Sequence, residues 1–264
     1  MTEDADAVSS RPDHRVSSIN DSAMDRRPAF YAARSGGWGD WWTLLHPPYT
    51  LWNLSYVVIG ATLAPHVQVS RLVATLLAFL LAVGFAAHAL DELHGRPLGT
   101  RIPSPVLILT TVLGLGGALT LGIIGLSRVG WVLVPFMVIG PLLVVVYNLE
   151  LFGGVLHNGT GLAISWGSFT VLVSYVAQTG RLSLGALFAA AGAFAFITTQ
   201  RHLSNQARLI RRRARHIEGE ITLHDGSTMA IDAPWLLAPL EKGLRAMSWG
   251  VVLLATAMAV TRLG

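Results

Sequence analysis

The run His88-Ala89-Leu90-Asp91-Glu92-Leu93-His94-Gly95-Arg96-Pro97 concentrates the side chains best able to do chemistry in this 264-residue chain. On a helix His88 stands three residues before Asp91 and four before Glu92, so one face carries an imidazole beside carboxylates. Such a face can hold a divalent cation, shuttle a proton or form a hydrogen-bonded pair. Gly95 and Pro97 then stop the helix. A second polar group, Tyr147-Asn148-Leu149-Glu150, precedes Gly153-Gly154 and His157-Asn158, and a third, Thr198-Thr199-Gln200-Arg201-His202, leads into Arg208, Arg211, Arg212 and Arg215. That last spacing makes one basic helical stripe, suited to anionic lipid or to clamping a phosphate or diphosphate. Between residues 41 and 217 the acidic side chains are Asp91, Glu92 and Glu150 alone. Ionisable groups in apolar surroundings are costly, so these three mark a candidate functional site. His46 and His66 read as interface residues, and Trp166, Phe169 and Tyr175 as packing or as the wall of an apolar cleft.

Composition narrows the chemistry. The chain has no cysteine, which removes disulfides, thiolate metal sites, iron-sulfur clusters and thiol nucleophiles. There is no Walker loop, dinucleotide fingerprint, nucleophile elbow or zinc-protease helix. Hydrophobic residues make up 52%, charged residues 13%, and the mean hydropathy is +0.54, a balance that points to a membrane protein rather than a soluble domain. The net charge of +4 therefore speaks to topology and not to nucleic acid.

The elements that must position these groups are helices. Apolar stretches at roughly 50–68, 71–92, 105–126, 130–150, 160–179, 183–203 and 247–262 predict an all-α integral membrane bundle of about seven spans, each near the roughly 20 residues a bilayer requires. Residues 1–36 are polar and without apolar periodicity, which predicts a disordered cytoplasmic tail. Trp38, Trp41 and Trp42 place amphipathic rings in an interfacial segment over 37–48. The helical membrane core is expected over 49–204, a cytoplasmic basic helix and hairpin over 205–246, and a final transmembrane helix over 247–264. Pro135 and Pro141 predict a kink in the fourth span, and Gly114, Gly116, Gly117 and Gly122 predict close helix contacts in the third. With the tail and the connections after spans two, four and six on one side, the other side holds only Arg71, Arg128, Arg181 and Arg262 of the 19 Lys and Arg. The positive-inside rule then puts the N-terminus in the cytoplasm, the C-terminus across the plasma membrane, and all three polar groups on the cytoplasmic side. Around Asp225-Gly226 a hairpin is expected, with a three-residue turn of Asp225, Gly226 and Ser227 pairing Leu223 with Met229 and Ile221 with Ile231.

From about Pro47 to Arg213 the sequence resembles the UbiA superfamily of intramembrane prenyltransferases. The opening Pro47-Pro48-Tyr49-Thr50-Leu51-Trp52, running to Gly60-Ala61-Thr62-Leu63-Ala64, is similar to that family's first helix. Ala87-His88-Ala89-Leu90-Asp91 falls where the family has Asn-Asp-x-x-Asp, and Arg96-Pro97-Leu98 is similar to the Arg-Pro that follows. Tyr147 resembles the tyrosine closing the fourth span. Gly167-Ser168-Phe169-Thr170-Val171-Leu172, continuing through Tyr175-Val176-Ala177-Gln178-Thr179-Gly180, resembles the fifth span and its turn.

The resemblance implies a UbiA-like bundle in which Asp-rich motifs hold a prenyl diphosphate through Mg²⁺ and an aromatic or lipid acceptor captures the allylic cation. Carried onto this sequence, it makes Asp91 and His88 catalytic, with His88, Asp91, Glu92 and Glu150 around a metal. It puts Arg96, Asn148, Arg201 and Arg208 on the substrate. Of the first motif only Asp91 remains acidic, and no acidic residue stands between Glu150 and Glu218, where the second motif would fall. Two further readings follow from the residues: a membrane metalloenzyme with His88, Asp91, Glu92, Glu150, His157 and His202 as a mixed nitrogen and oxygen ligand set suited to iron, zinc or manganese, and a non-catalytic isoprenoid-binding, lipid-binding or partner protein.

Overall fold

The computed structural model describes residues 31–264, so residues 1–30 of the expected disordered tail lie outside the described part. The end of that tail is not loose. Ala33 N–H donates to Thr43 Oγ1 at 3.0 Å, Gly36 N–H to Asp40 Oδ1 at 3.0 Å, and Trp42 Nε1–H to the Tyr31 carbonyl at 3.2 Å. These bonds strap residues 31–36 onto α1 (Trp38–Leu44). Composition averages over a segment and misses such local backbone bonds.

The described chain is mostly helical. It continues through α2 (Pro47–Thr62), α3 (Val69–Leu93), α4 (Ser104–Val129), α5 (Trp131–Asn148), α6 (Gly159–Thr179) and α7 (Leu184–Arg213), then a two-stranded sheet, then α8 (Ala233–Leu263). Five of these, α3, α4, α5, α6 and α8, are long and apolar enough to cross a membrane. The expected count of seven would add α2 and α7. α2 has only 16 residues, and α7 joins an apolar half to an arginine-rich one. Helix starts follow local chemistry: Asn158 Oδ1 accepts from Gly161 N–H, Ser183 Oγ from Ala186 N–H and Asp232 Oδ1 from Trp235 N–H. Pro135 sits in the first turn of α5 and Pro141 inside it. α8 begins at Ala233, well before the expected start at 247, because Asp232-Ala233-Pro234 caps a helix there and nothing breaks it at 246.

Small residues set the tightest contacts. A side chain at Gly60 of α2 would meet the Val171 carbonyl of α6 at 2.4 Å, and Ser174 Oγ donates to the Val57 carbonyl at 2.5 Å across the same seam. Gly114 of α4 abuts the Leu81 carbonyl of α3 in the same way, at 2.6 Å, whereas Gly116 faces open space. Two helices carry π-helical segments, Leu80–Ala87 in α3 and Ile164–Ser168 in α6. The extra residue rotates the following turn and frees carbonyls, a feature common at functional sites. Many large apolar side chains, such as Leu113, Phe188 and Leu253, stay exposed on the outer helix faces.

The strands β1 (Glu218–Thr222) and β2 (Thr228–Asp232) pair antiparallel between α7 and α8. The register differs from the expected one by two residues: Ile221 lies opposite Met229 and Gly219 opposite Ile231. The three loop residues are His224, Asp225 and Gly226, with Leu223 N–H donating to the Ser227 carbonyl at 2.8 Å. Gly226 takes φ +82° as the last loop residue, and Asp225 Oδ1 accepts from Ser227 N–H, so Ser227 belongs to the strand side. A shift of two preserves side-chain parity, and Ile221, Met229 and Ile231 still share a face.

Candidate functional site

Helix ends make the site. α3 and α5 finish, α6 begins and α7 passes at one end of the bundle, enclosing a cavity of about 400 Å³. His88, Asp91, Asn148, Glu150, Arg201 and Arg208 all line it. Six of the eight predicted site residues, drawn from three separate stretches of sequence, are thus brought together.

The other two are not. Glu92 is fully buried away from the cavity, accepting from Leu98 N–H at 3.0 Å, Thr100 N–H at 2.7 Å and Thr100 Oγ1–H at 2.9 Å. It organises the loop after α3 and does not reach the cavity. Arg96 donates to the carbonyls of Thr100 and Ile102, at 3.3 and 2.6 Å, and to Ser104 Oγ at 2.8 Å, so it braces the same loop rather than a substrate. Asp40 completes this cage by accepting from Arg101 N–H at 3.1 Å. His202, a candidate ligand in the metalloenzyme reading, is exposed and does not line the cavity.

Within the cavity the groups are held singly. His88 Nδ1–H donates to the Gly84 carbonyl at 3.1 Å, a carbonyl in the π segment, which leaves Nε2 as the working nitrogen. Asn148 is anchored by Nδ2–H to the Val144 carbonyl at 2.7 Å. Glu150 adopts φ +50° at the break after α5, and its carboxylate lies 3.7 Å from His157 Nε2. His157 Nδ1–H donates to the Tyr147 carbonyl at 3.0 Å. Arg208 is steadied by Asn205 Oδ1 at 2.7 Å. It lies beyond the apolar half of α7, and burial together with the neighbouring Arg201 cation pushes its guanidinium below the usual arginine range. Neither Arg201 nor Arg208 has a carboxylate partner among the described residues. The basic stripe divides at this point, since Arg211 is spent on Glu241, which also meets Arg245 at 3.4 Å.

The structure adds residues that sequence reasoning passed over. His46, at the start of α2, stacks on His88 with ring centroids 4.3 Å apart and planes 17° from parallel. Its Nδ1 is hydrogen-bonded to Tyr31 Oη at 2.7 Å, while its Nε2 is buried without a hydrogen-bond partner among the described residues. Burial first, then His88 and Arg208, hold this imidazole well below its ordinary pKa. Asn53 Nδ2 donates to the Trp166 carbonyl and to Thr170 Oγ1, at 2.8 and 3.0 Å, leaving Oδ1 buried and without a partner among the described residues. His46, Tyr49 and Asn53 all line the cavity. Their spacing puts them on one face of an otherwise apolar helix, which was the available signal.

The acidic set is thin for a metal. Among the described residues no three His, Asp or Glu side chains gather closely enough to hold an ion. Of the residues the resemblance would put around Mg²⁺, or the alternative reading around a transition metal, His88, Asp91 and Glu150 line the cavity and Glu92 does not.

Beside the cavity runs an apolar slot of about 470 Å³ between α3, α4, α5 and α6. Val83 and Trp166 line both spaces, and each stands in one of the two π segments. No protein-family model matches this sequence, and neither a curated protein nor a solved structure shows significant similarity to it.

Proposed function

We propose that this chain is a UbiA-like integral membrane protein of about seven spans whose polar cavity takes the phosphate head of an isoprenoid diphosphate, the chain passing between Val83 and Trp166 into the apolar slot. The observation that carries this reading is the pair Arg201 and Arg208, two neighbouring cations without a carboxylate partner among the described residues, in a polar cavity that shares Val83 and Trp166 with the adjoining apolar slot. A cation pair in low dielectric calls for an anion, and guanidinium groups match phosphate oxygens directly. The arginine bias supports a cytoplasmic placement of this end in the plasma membrane, with the C-terminus opposite.

Prenyl transfer fits the arrangement. The bond between the first prenyl carbon and the diphosphate oxygen breaks, its electron pair leaves with the diphosphate, and Arg201 and Arg208 stabilise the growing charge. The acceptor forms the new bond to that carbon and loses a proton, which His88 Nε2 receives, with Asp91 on the same cavity wall favouring the resulting imidazolium. The thin acidic set favours one second reading, an isoprenoid carrier that binds without turnover.

Titration of the detergent-purified protein with geranylgeranyl diphosphate tests the head-group site. The diphosphate is expected to bind at least tenfold more tightly than geranylgeraniol, and equal binding of the two overturns the reading. Release of inorganic diphosphate on adding an acceptor separates transferase from carrier.

A further inference from the structure

The far end of the bundle carries a second basic site. Arg71, at the start of α3, donates through Nη1 to the Gln178 carbonyl at 2.9 Å and through Nη2 to the Arg128 carbonyl at 2.6 Å. Gln178 in turn accepts from Gln68 N–H at 2.8 Å. The latch joins α3, α4 and α6 through backbone carbonyls, so it fixes the Arg71 guanidinium without neutralising it. The Arg128 guanidinium bonds to no side chain among the described residues, and the connections at this end, 63–70, 127–133 and 180–183, contain no Asp or Glu.

Both arginines line the mouth of the apolar slot, and the slot's inner end is Val83 and Trp166. Twelve helical residues separate Arg71 from Val83, about 18 Å at 1.5 Å per residue. That depth is close to half of the roughly 30 Å hydrocarbon core, one leaflet. Small residues, among them Ala74, Ala78, Ala118 and Gly140, interrupt walls otherwise built of larger apolar side chains. A side chain added at Gly140 would meet only the Phe169 ring, at 3.5 Å, an ordinary contact, so no backbone crowding demands glycine there.

We infer that the slot is a binding site for one anionic membrane lipid, its phosphate held by Arg71 and Arg128 and one acyl chain lying between α3, α4, α5 and α6. Two cations, Arg71 fixed by its latch and Arg128 beside it, without a carboxylate among the described residues at the mouth of a leaflet-deep apolar channel, match a phosphodiester headgroup with a chain attached. A neutral or zwitterionic lipid fills the channel equally well but gains less at the mouth. This site stands on the membrane reading alone and requires no occupant in the polar cavity. A prenyl chain arriving from the cavity and this lipid would compete for the same volume.

The experiment uses the full chain reconstituted in vesicles of phosphatidylcholine with a minor fraction of phosphatidylglycerol, followed by native mass spectrometry of the extracted protein. The wild-type protein is expected to retain one lipid, enriched about tenfold in phosphatidylglycerol over the vesicle ratio. Arg128→Gln should return the retained lipid to the vesicle ratio, and Gly140→Leu, which fills the channel, should reduce the retained lipid of either kind. Retention by the wild type at the vesicle ratio, meaning bulk lipid only, overturns the proposal, and so does full enrichment in both variants. Geranylgeranyl diphosphate binding through Arg201 and Arg208 is measured separately, so failure of either site leaves the other readable.

Discussion

Asp91 and Glu92 are neighbours in the chain and belong to different regions with opposite hydrogen-bond economies. Glu92 turns into the loop cage of residues 92–104, where it accepts from three donors and Arg96 spends its guanidinium on two carbonyls and a hydroxyl. Asp91 turns into the cavity, where, among the described residues, Arg201 and Arg208 have no carboxylate partner and the Nε2 of His46 has no hydrogen-bond partner. The same residue types thus build structure in one place and leave capacity for a ligand in the other. A buried charge whose bonds are complete is spent, whereas one facing a cavity with bonds to spare is available.

The comparison breaks first on stability. Glu92→Ala strands Leu98 N–H, Thr100 N–H and Thr100 Oγ1–H in the interior, and hydrogen bonds to charged groups contribute about 1.5–3 kcal/mol each. A loss of about 3 kcal/mol or more is expected, read as a fall in Tm of roughly 6–12 °C in detergent. An unchanged Tm would remove Glu92 from its structural role. Arg208→Gln should do the reverse, with Tm nearly unchanged and geranylgeranyl diphosphate binding weakened about 10–100-fold, the equivalent of about 1.4–2.8 kcal/mol. Loss of folding without loss of binding in the surviving protein would assign Arg208 to the cage side of the division.

Arg96→Ala comes next. It gives up three bonds at a partly exposed loop, for about 1–2 kcal/mol, and should leave the binding constant within twofold. Binding that collapses with Arg96 would restore it as a substrate contact.

The smallest expected effect is on pH dependence. Burial lowers the folded-state pKa of His46 below the unfolded value of about 6.5. The unfolded chain therefore binds more protons between the two values. Stability is fully present above about pH 6.5 and declines as the pH falls toward the folded pKa. A Tm that falls between pH 7.5 and 5.5 in the wild type and less steeply in His46→Gln is the expected pattern, and parallel curves would sink it.

Much of the bundle was legible because helix-length apolar runs are local. Gly114 announced a close approach that the Leu81 carbonyl makes real. The final helix was placed too late because its amphipathic first turns dilute the hydropathy that identifies a span. The hairpin register slipped by two because parity is preserved either way, and only the positive φ of Gly226 decides which residues turn.

The site was half legible. His88, Asp91, Glu150 and Arg208 stood out as polar groups in apolar surroundings, a cost that sequence alone exposes. Glu92 and Arg96 stood out for the same reason and were misassigned, since their partners are backbone groups that a sequence does not display. His46 was passed over as an interface residue, and its stacking on His88 requires the approach of α2 to α3.

What the residues determine by themselves is where apolar stretches run, which polar side chains interrupt them and on which side the arginines gather, since each is a property of the chain read locally. Only the tertiary structure decides which of those polar groups are satisfied. Hydrogen bonds act over about 3 Å, and whether a carboxylate meets backbone amides or a cavity depends on how loops and helix ends from distant parts of the sequence come to rest against each other.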